Sequence, residues 1–251
     1  MLNTQLPQDA HQALLVGRLW VPGQGPALVA ITPQDVLDLS SLAPTCSDLL
    51  EQTDLARRVR AALAAGQARP LARTSEALAN SDETQRDTTQ PWFLAPCDLQ
   101  AVKAAGVTFV ASMLERVIEE QARGDASKAE AVRQAVVAVI GDNLRSVKPG
   151  SPEAAQLKEV LLAQGMWSQY LEVGIGPDAE IFTKAQPMSA VGSGAWVGIH
   201  PGSQWNNPEP EIVLAVNSRG EVVGATMGND VNLRDFEGRS ALLLGKAKDN
   251  N

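Results

Sequence analysis

Apolar and polar positions follow three different rhythms along this chain, and the changes of rhythm mark its parts. Up to residue 39 the apolar residues come in short runs: Ala13 to Trp20, Ala27 to Thr32 and Val36 to Leu39. Pro22, Gly23, Gly25 and Pro26 separate the first two runs, which predicts strands joined by turns. Thr45 then caps a predicted helix in which Leu49, Leu50, Leu55, Val59 and Leu63 recur at roughly helical spacing, ending near Gly66. Residues 67–89 lose that period and turn to Ala, Arg, Ser, Thr, Asn and Asp, which reads as a linker closed by Pro91 and Pro96.

Helical spacing returns in the middle of the chain. Val110, Leu114, Val117 and Ile118 share one face, and Val132, Val136, Val139 and Ile140 repeat the pattern after a break at Gly124 and Asp125. A third helix is punctuated by Ser151 as N-cap, Pro152 at its first position and Gly165 past its end, with Leu157, Val160 and Leu161 as its apolar side. From Ala179 onward the period falls to two. Glu180 to Lys184, Ala195 to His200, Glu211 to Val216 and Glu221 to Met227 are predicted strands. The expected architecture is α+β: a small N-terminal α/β domain over 1–90, then a helical insert and a β-rich domain over 91–251.

Composition changes this picture little. Apolar residues make up 44% and charged residues 20% of 251, which is ordinary for a globular chain. A net charge of −8 without a Lys/Arg cluster argues against nucleic acid and anionic membrane as partners. The start, Met1 to Gln12, lacks a basic segment followed by an apolar run, and no apolar run reaches bilayer length. Cys46 and Cys97 lie far apart without CxxC spacing and read as free thiols in a reducing compartment. These points together predict a soluble cytoplasmic protein.

The informative stretch is a hairpin. Glu209 to Val216 and Glu221 to Gly228 flank the turn Asn217-Ser-Arg-Gly220. Glu209 and Glu211 are two apart and point to one face of a strand. Pairing Val216 with Glu221 places Glu211 opposite Thr226 and Glu209 opposite Gly228, with Asp230 diagonal to Glu209 on the same face. Three carboxylates packed together repel one another, and a bound cation removes that conflict. Oxygen ligands without His or Cys favour Mg²⁺, Mn²⁺ or Ca²⁺ over Zn²⁺. The competing reading makes Glu209 and Glu211 solvated charges that protect an edge strand.

The segments Asn206-Asn-Pro-Glu-Pro-Glu-Ile-Val-Leu214 and Gly228-Asn-Asp-Val-Asn-Leu-Arg-Asp-Phe-Glu-Gly238 resemble the fumarylacetoacetate hydrolase family, from about Gly106 to the C-terminus. The resemblance implies a mixed β-roll, a homodimer and a Mg²⁺-type ion on Glu209, Glu211 and Asp230. It implies Lys248 in Gly245-Lys-Ala-Lys248 as the catalytic lysine and places Lys184 on the strand entering the roll. Ser112 stands where the hydrolase and decarboxylase members carry a histidine, while Glu115 is retained. That departure resembles the branch that dehydrates 2-oxo-3-deoxy sugar acids such as 2-keto-3-deoxyarabinonate. The expected activity is therefore a metal-dependent lyase acting on a small 2-oxo acid. Lys248 and Glu115 would be catalytic, and Lys184 and Ser112 would contact substrate. The alternatives are a C–C bond hydrolase of acylpyruvate type or an inactive metal-binding module. The family's roll continues beyond the equivalent of Asn251, so the resemblance also implies an incomplete catalytic domain with an open apolar face.

Overall fold

The computed structural model describes residues 6–106, 117–118, 120–140, 147–163, 165, 167 and 169–249. The N-terminal part is a five-stranded sheet in the order β4-β3-β2-β1-β5. Its strands are β1 Leu15–Val21, β2 Gly25–Ile31, β3 Asp35–Asp38, β4 Pro70–Arg73 and β5 Trp92–Leu94, paired antiparallel. The segment Ala27 to Ala30 is apolar at every position because both faces of β2 are covered. Leu28 and Ala30 pack with Leu49 and Val59 on one side, and Ala27 and Val29 pack with Leu19, Val36 and Ala77 on the other.

Three sequence expectations change here. The single helix after Thr45 is two, α1 Cys46–Leu50 and α2 Leu55–Ala64, separated where Asp54 takes a left-handed φ of 54°. Thr45 does cap α1, accepting from the Asp48 amide at 3.0 Å. The stretch read as a linker contains β4 and α3 Thr74–Asn80. Its polar composition conceals a strand that finds a partner in β3 and a helix that buries only Thr74 and Ala77. β5, just past the expected boundary at residue 90, completes this sheet at its β1 edge.

The helical part contains α4 Ala129–Ile140, α5 Pro152–Ala163 and α6 Gln169–Ile175. Ser151 Oγ accepts from the Ala154 amide at 3.2 Å, as an N-cap should. Leu161 is buried and Leu157 packs against the same cluster, but Val160 faces solvent. The predicted helix face at Val110 and Leu114 lies outside the described residues, as do Ser112 and Glu115.

β6 Val102–Ala105 pairs with β7 Ile181–Ala185, and β8 Asn206–Asn207 pairs with β11 Asn232–Leu233. β9 Pro210–Val216 and β10 Val222–Asn229 form the expected hairpin, followed by α7 Arg234–Glu237 and α8 Leu244–Lys248. Ile212, Leu214, Val216, Val222 and Met227 on this hairpin are each more than half exposed. The strand predicted over Ala195 to His200 is absent, and those residues form a loop. Its backbone is used elsewhere: the Trp196 amide donates to Glu83 Oε2 at 2.7 Å and Gly194 O accepts from the Glu83 amide at 2.9 Å. Among the described residues no helix is long and apolar enough to cross a membrane. Cys46 and Cys97 are free thiols.

Candidate metal centre

The hairpin register decides where the acids meet. Glu211 faces Gly228, Pro210 faces Asn229 and Val213 faces Thr226, with an irregularity between Val222 and Gly224. The pairing is thus offset by two residues from the one expected, and that irregularity near the turn takes up the difference. An offset of two preserves the face of every side chain, so the convergence survives. Asp230 sits opposite Glu209 rather than diagonal to it, its amide donating to Glu209 O at 2.9 Å. One carboxylate oxygen from each of Glu209, Glu211 and Asp230 lies within 4.8 Å of the others. Asp230 is buried and the two glutamates are half-buried.

Two lysines reach this cluster from distant elements. Lys248, at the end of α8 and 1% exposed, places Nζ 2.6 Å from Glu209 Oε2 and 3.1 Å from Asp230 Oδ2. Burial pushes its pKa down, but the charges of Glu237, Glu209 and Asp230 outweigh that and raise it above its ordinary value. Lys184 comes from β7 and is 7% exposed, with Nζ 3.4 Å from Asp230 Oδ1. It donates to Val231 O at 3.0 Å and to Lys248 O. Burial lowers the pKa of Lys184, Asp230 opposes the shift, and the positive charge of Lys248 adds to it.

The donor set fits a hard divalent cation. Its three groups offer oxygens only, and their mutual repulsion falls when a positive charge enters. Asp230 Oδ1 is buried and makes no hydrogen bond of good geometry, its nearest cation being the Lys184 ammonium at 3.4 Å. The cluster could hold a metal ion on Glu209, Glu211 and Asp230.

Sequence reasoning left two participants without a role. Asn232, 1% exposed, donates through Nδ2 to Glu209 Oε1 at 3.2 Å and to Glu237, itself 2% exposed. The parity that grouped Glu209 with Glu211 would also have put Asn232 beside Asp230. Glu237 gave no such signal, since it lies on α7. Arg234 and Asp235 each fasten a different segment to this corner. Arg234 Nε donates to Asn207 Oδ1 at 2.6 Å, while Asp235 accepts from Ser203 Oγ at 2.8 Å and from the Gln204 amide at 2.9 Å. His200 bonds locally, its Nδ1 accepting from the Gly202 amide at 3.0 Å, and its ring packs edge-on to Phe236.

No family model matches the chain. It is 41% identical over 83 residues to a probable 2-keto-3-deoxyxylonate dehydratase of Haloferax volcanii, a match covering 33% of this chain and 28% of that protein. It is 39% identical over 69 residues to a 2-dehydro-3-deoxy-D-arabinonate dehydratase of Saccharolobus solfataricus, covering 28% of this chain and 23% of that protein. Among solved structures, the apo form of 2-keto-3-deoxy-D-arabinonate dehydratase superposes over 93% of this chain with a TM-score of 0.53 at 18% identity. The two share a fold. A second structure of that dehydratase, with a TM-score of 0.52, is complexed with magnesium and 2,5-dioxopentanoate. The chain spans 61% of the apo dehydratase structure and under a third of each curated relative it matches.

Proposed function

We propose that this chain carries the metal centre of a lyase that removes water from a 2-oxo-3-deoxy sugar acid. The observation that carries the reading is the convergence of Glu209, Glu211 and Asp230 within 4.8 Å, with the Lys248 ammonium against two of them. The dehydratase names of the relatives and the shared fold support it from outside the site. The proposal extends to fumarylacetoacetate hydrolase family membership with its mixed β-roll, a homodimer, a cytoplasmic location, and Mg²⁺ as the ion, with Mn²⁺ and Ca²⁺ as substitutes.

Glu209, Glu211 and Asp230 would hold the divalent ion, which would supply the Lewis-acid polarisation that acidifies C3 of a 2-oxo acid. Lys248 then opposes the negative charge that grows on the substrate as the C3 proton leaves. Lys184, close to Asp230, orients the substrate carboxylate. Glu115 is assigned the proton transfer at the departing hydroxyl, and Ser112 a substrate contact. Glu115 would take the proton from C3 and deliver it to the hydroxyl on C4, so that the C3–H and C4–O bonds break, a C3–C4 double bond forms and water leaves. A proton shift in that enoate gives the isomeric 2,5-dioxopentanoate.

Incubation with Mg²⁺ and 2-keto-3-deoxyarabinonate tests the reading. Formation of 2,5-dioxopentanoate that EDTA and Glu211→Gln both abolish is the expected result. Cleavage of an acylpyruvate instead would move the assignment to C–C hydrolysis. Metal binding unchanged in Glu209→Gln would remove its foundation.

A further inference from the structure

Glu237 takes no part in the chemistry proposed above, yet it is 2% exposed. A carboxylate at that depth is unfavourable unless hydrogen bonds and nearby charge compensate it. It accepts from Asn232 Nδ2, and the same nitrogen donates to Glu209 Oε1 at 3.2 Å. The amide thus bridges an acid outside the cluster to an acid within it. Asn232 Oδ1 is buried without a hydrogen-bond partner, so the two carboxylates alone dictate which way the amide faces. An NH₂ group is the only end of that side chain that two acceptors can share.

The consequence falls on Glu209. Its Oε1 is held by Asn232, with Arg234 Nη2 at 3.8 Å, and its Oε2 meets Lys248 at 2.6 Å. We infer that Glu237 is a positioning residue of the metal centre, locking Asn232 so that Glu209 keeps one fixed carboxylate orientation beside Asp230. Hydrogen-bond partners of metal-ligating side chains govern affinity because they remove the freedom a ligand would otherwise lose on binding. The inference rests on the metal reading proposed above.

Titration of the full chain with Mn²⁺, followed by the paramagnetic resonance signal of the free ion, tests it. Glu237→Ala should weaken Mn²⁺ binding by about 10–100-fold, while Glu237→Gln, which keeps an acceptor for Asn232, should stay within about threefold of wild type. A purely structural role would lower the melting temperature of Glu237→Ala and leave its Mn²⁺ affinity intact, which would overturn the inference alone. Where near-ultraviolet circular dichroism shows that Glu237→Ala does not fold, Asn232→Ala reads the same link from the other side. Weaker binding there supports the positioning role, and unchanged binding overturns it. Wild-type protein that takes up no Mn²⁺ would overturn the metal reading, and the inference with it.

Discussion

Replacing Lys248 with methionine keeps the length of the side chain and removes its charge from between two acids. In the folded protein Nζ lies 2.6 Å from Glu209 and 3.1 Å from Asp230, at a side chain 1% exposed. At an effective dielectric near 20, each contact is an attraction on the order of 5 kcal/mol, much of it offset by the cost of burying the charges. Removing one partner of such a group leaves the other uncompensated, a loss of about 3–5 kcal/mol. For a chain of this size that is a fall in Tm on the order of 10 °C. A divalent ion among the same carboxylates restores positive charge, and at 100 times its Kd it adds roughly 2.7 kcal/mol of stability. Melting of wild type and Lys248→Met in EDTA and in excess Mg²⁺ is the assay. The gap between the two proteins should be wide in EDTA and narrower in Mg²⁺. A variant as stable as wild type in EDTA, or a gap indifferent to Mg²⁺, would refute the argument that lysine and metal answer the same charge.

Three further predictions concern the rest of the fold. Asp98, 4% exposed, accepts from the Cys46 amide at 2.7 Å, the Ser47 amide at 3.0 Å and the Leu99 amide at 2.8 Å, with Arg18 nearby at 3.7 Å. Asp98→Ala should cost about 3–5 kcal/mol in urea unfolding by stranding those donors. Burial pushes the Asp98 pKa up, but the Ser47 hydroxyl and the three amides pull it further down, below its ordinary 3.8. Its contribution is therefore complete above that value and lost as pH falls through the lower folded one. The stability difference between wild type and Asp98→Asn should accordingly shrink below pH 3.8, and a constant difference would count against this assignment. Gly194 has φ +85°, and a Cβ there would lie 2.6 Å from Ser81 O. Gly194→Ala should cost about 2 kcal/mol and speed proteolysis in residues 186–205.

Much of the strand pattern was legible because each strand carries its own periodicity. β1, β2, β3 and the β9–β10 hairpin lie within a residue or two of their sequence positions. Misreadings fell where structure depends on a partner far away. Pro70–Arg73 is a strand only because β3 offers an edge, and Trp196 is kept from a ladder by Glu83, 113 residues earlier. The acids were legible for the same local reason, since parity within one hairpin groups them. Placing both lysines against them took a motif, and Glu237 stayed without a role because neither parity nor motif assigned it one.

The two-residue offset in the hairpin shows which part of that reasoning is robust. A slip of one would send Glu209 and Glu211 to one face and Asp230 to the other, whereas a slip of two changes only which residue stands opposite which. The face was thus secure before the register was known, and the register then sharpened it by setting Asp230 directly across from Glu209. That closeness is what calls for positive charge. Lys248 and Lys184 supply it from α8 and β7, and they are tied to each other through Lys184 Nζ and Lys248 O. A cation that binds Glu209 and Asp230 enters beside the Lys248 ammonium, which already holds Glu209 Oε2 and Asp230 Oδ2 and repels it. Metal affinity and the placement of Lys248 are in consequence one coupled equilibrium, so a variant that shifts either should shift both.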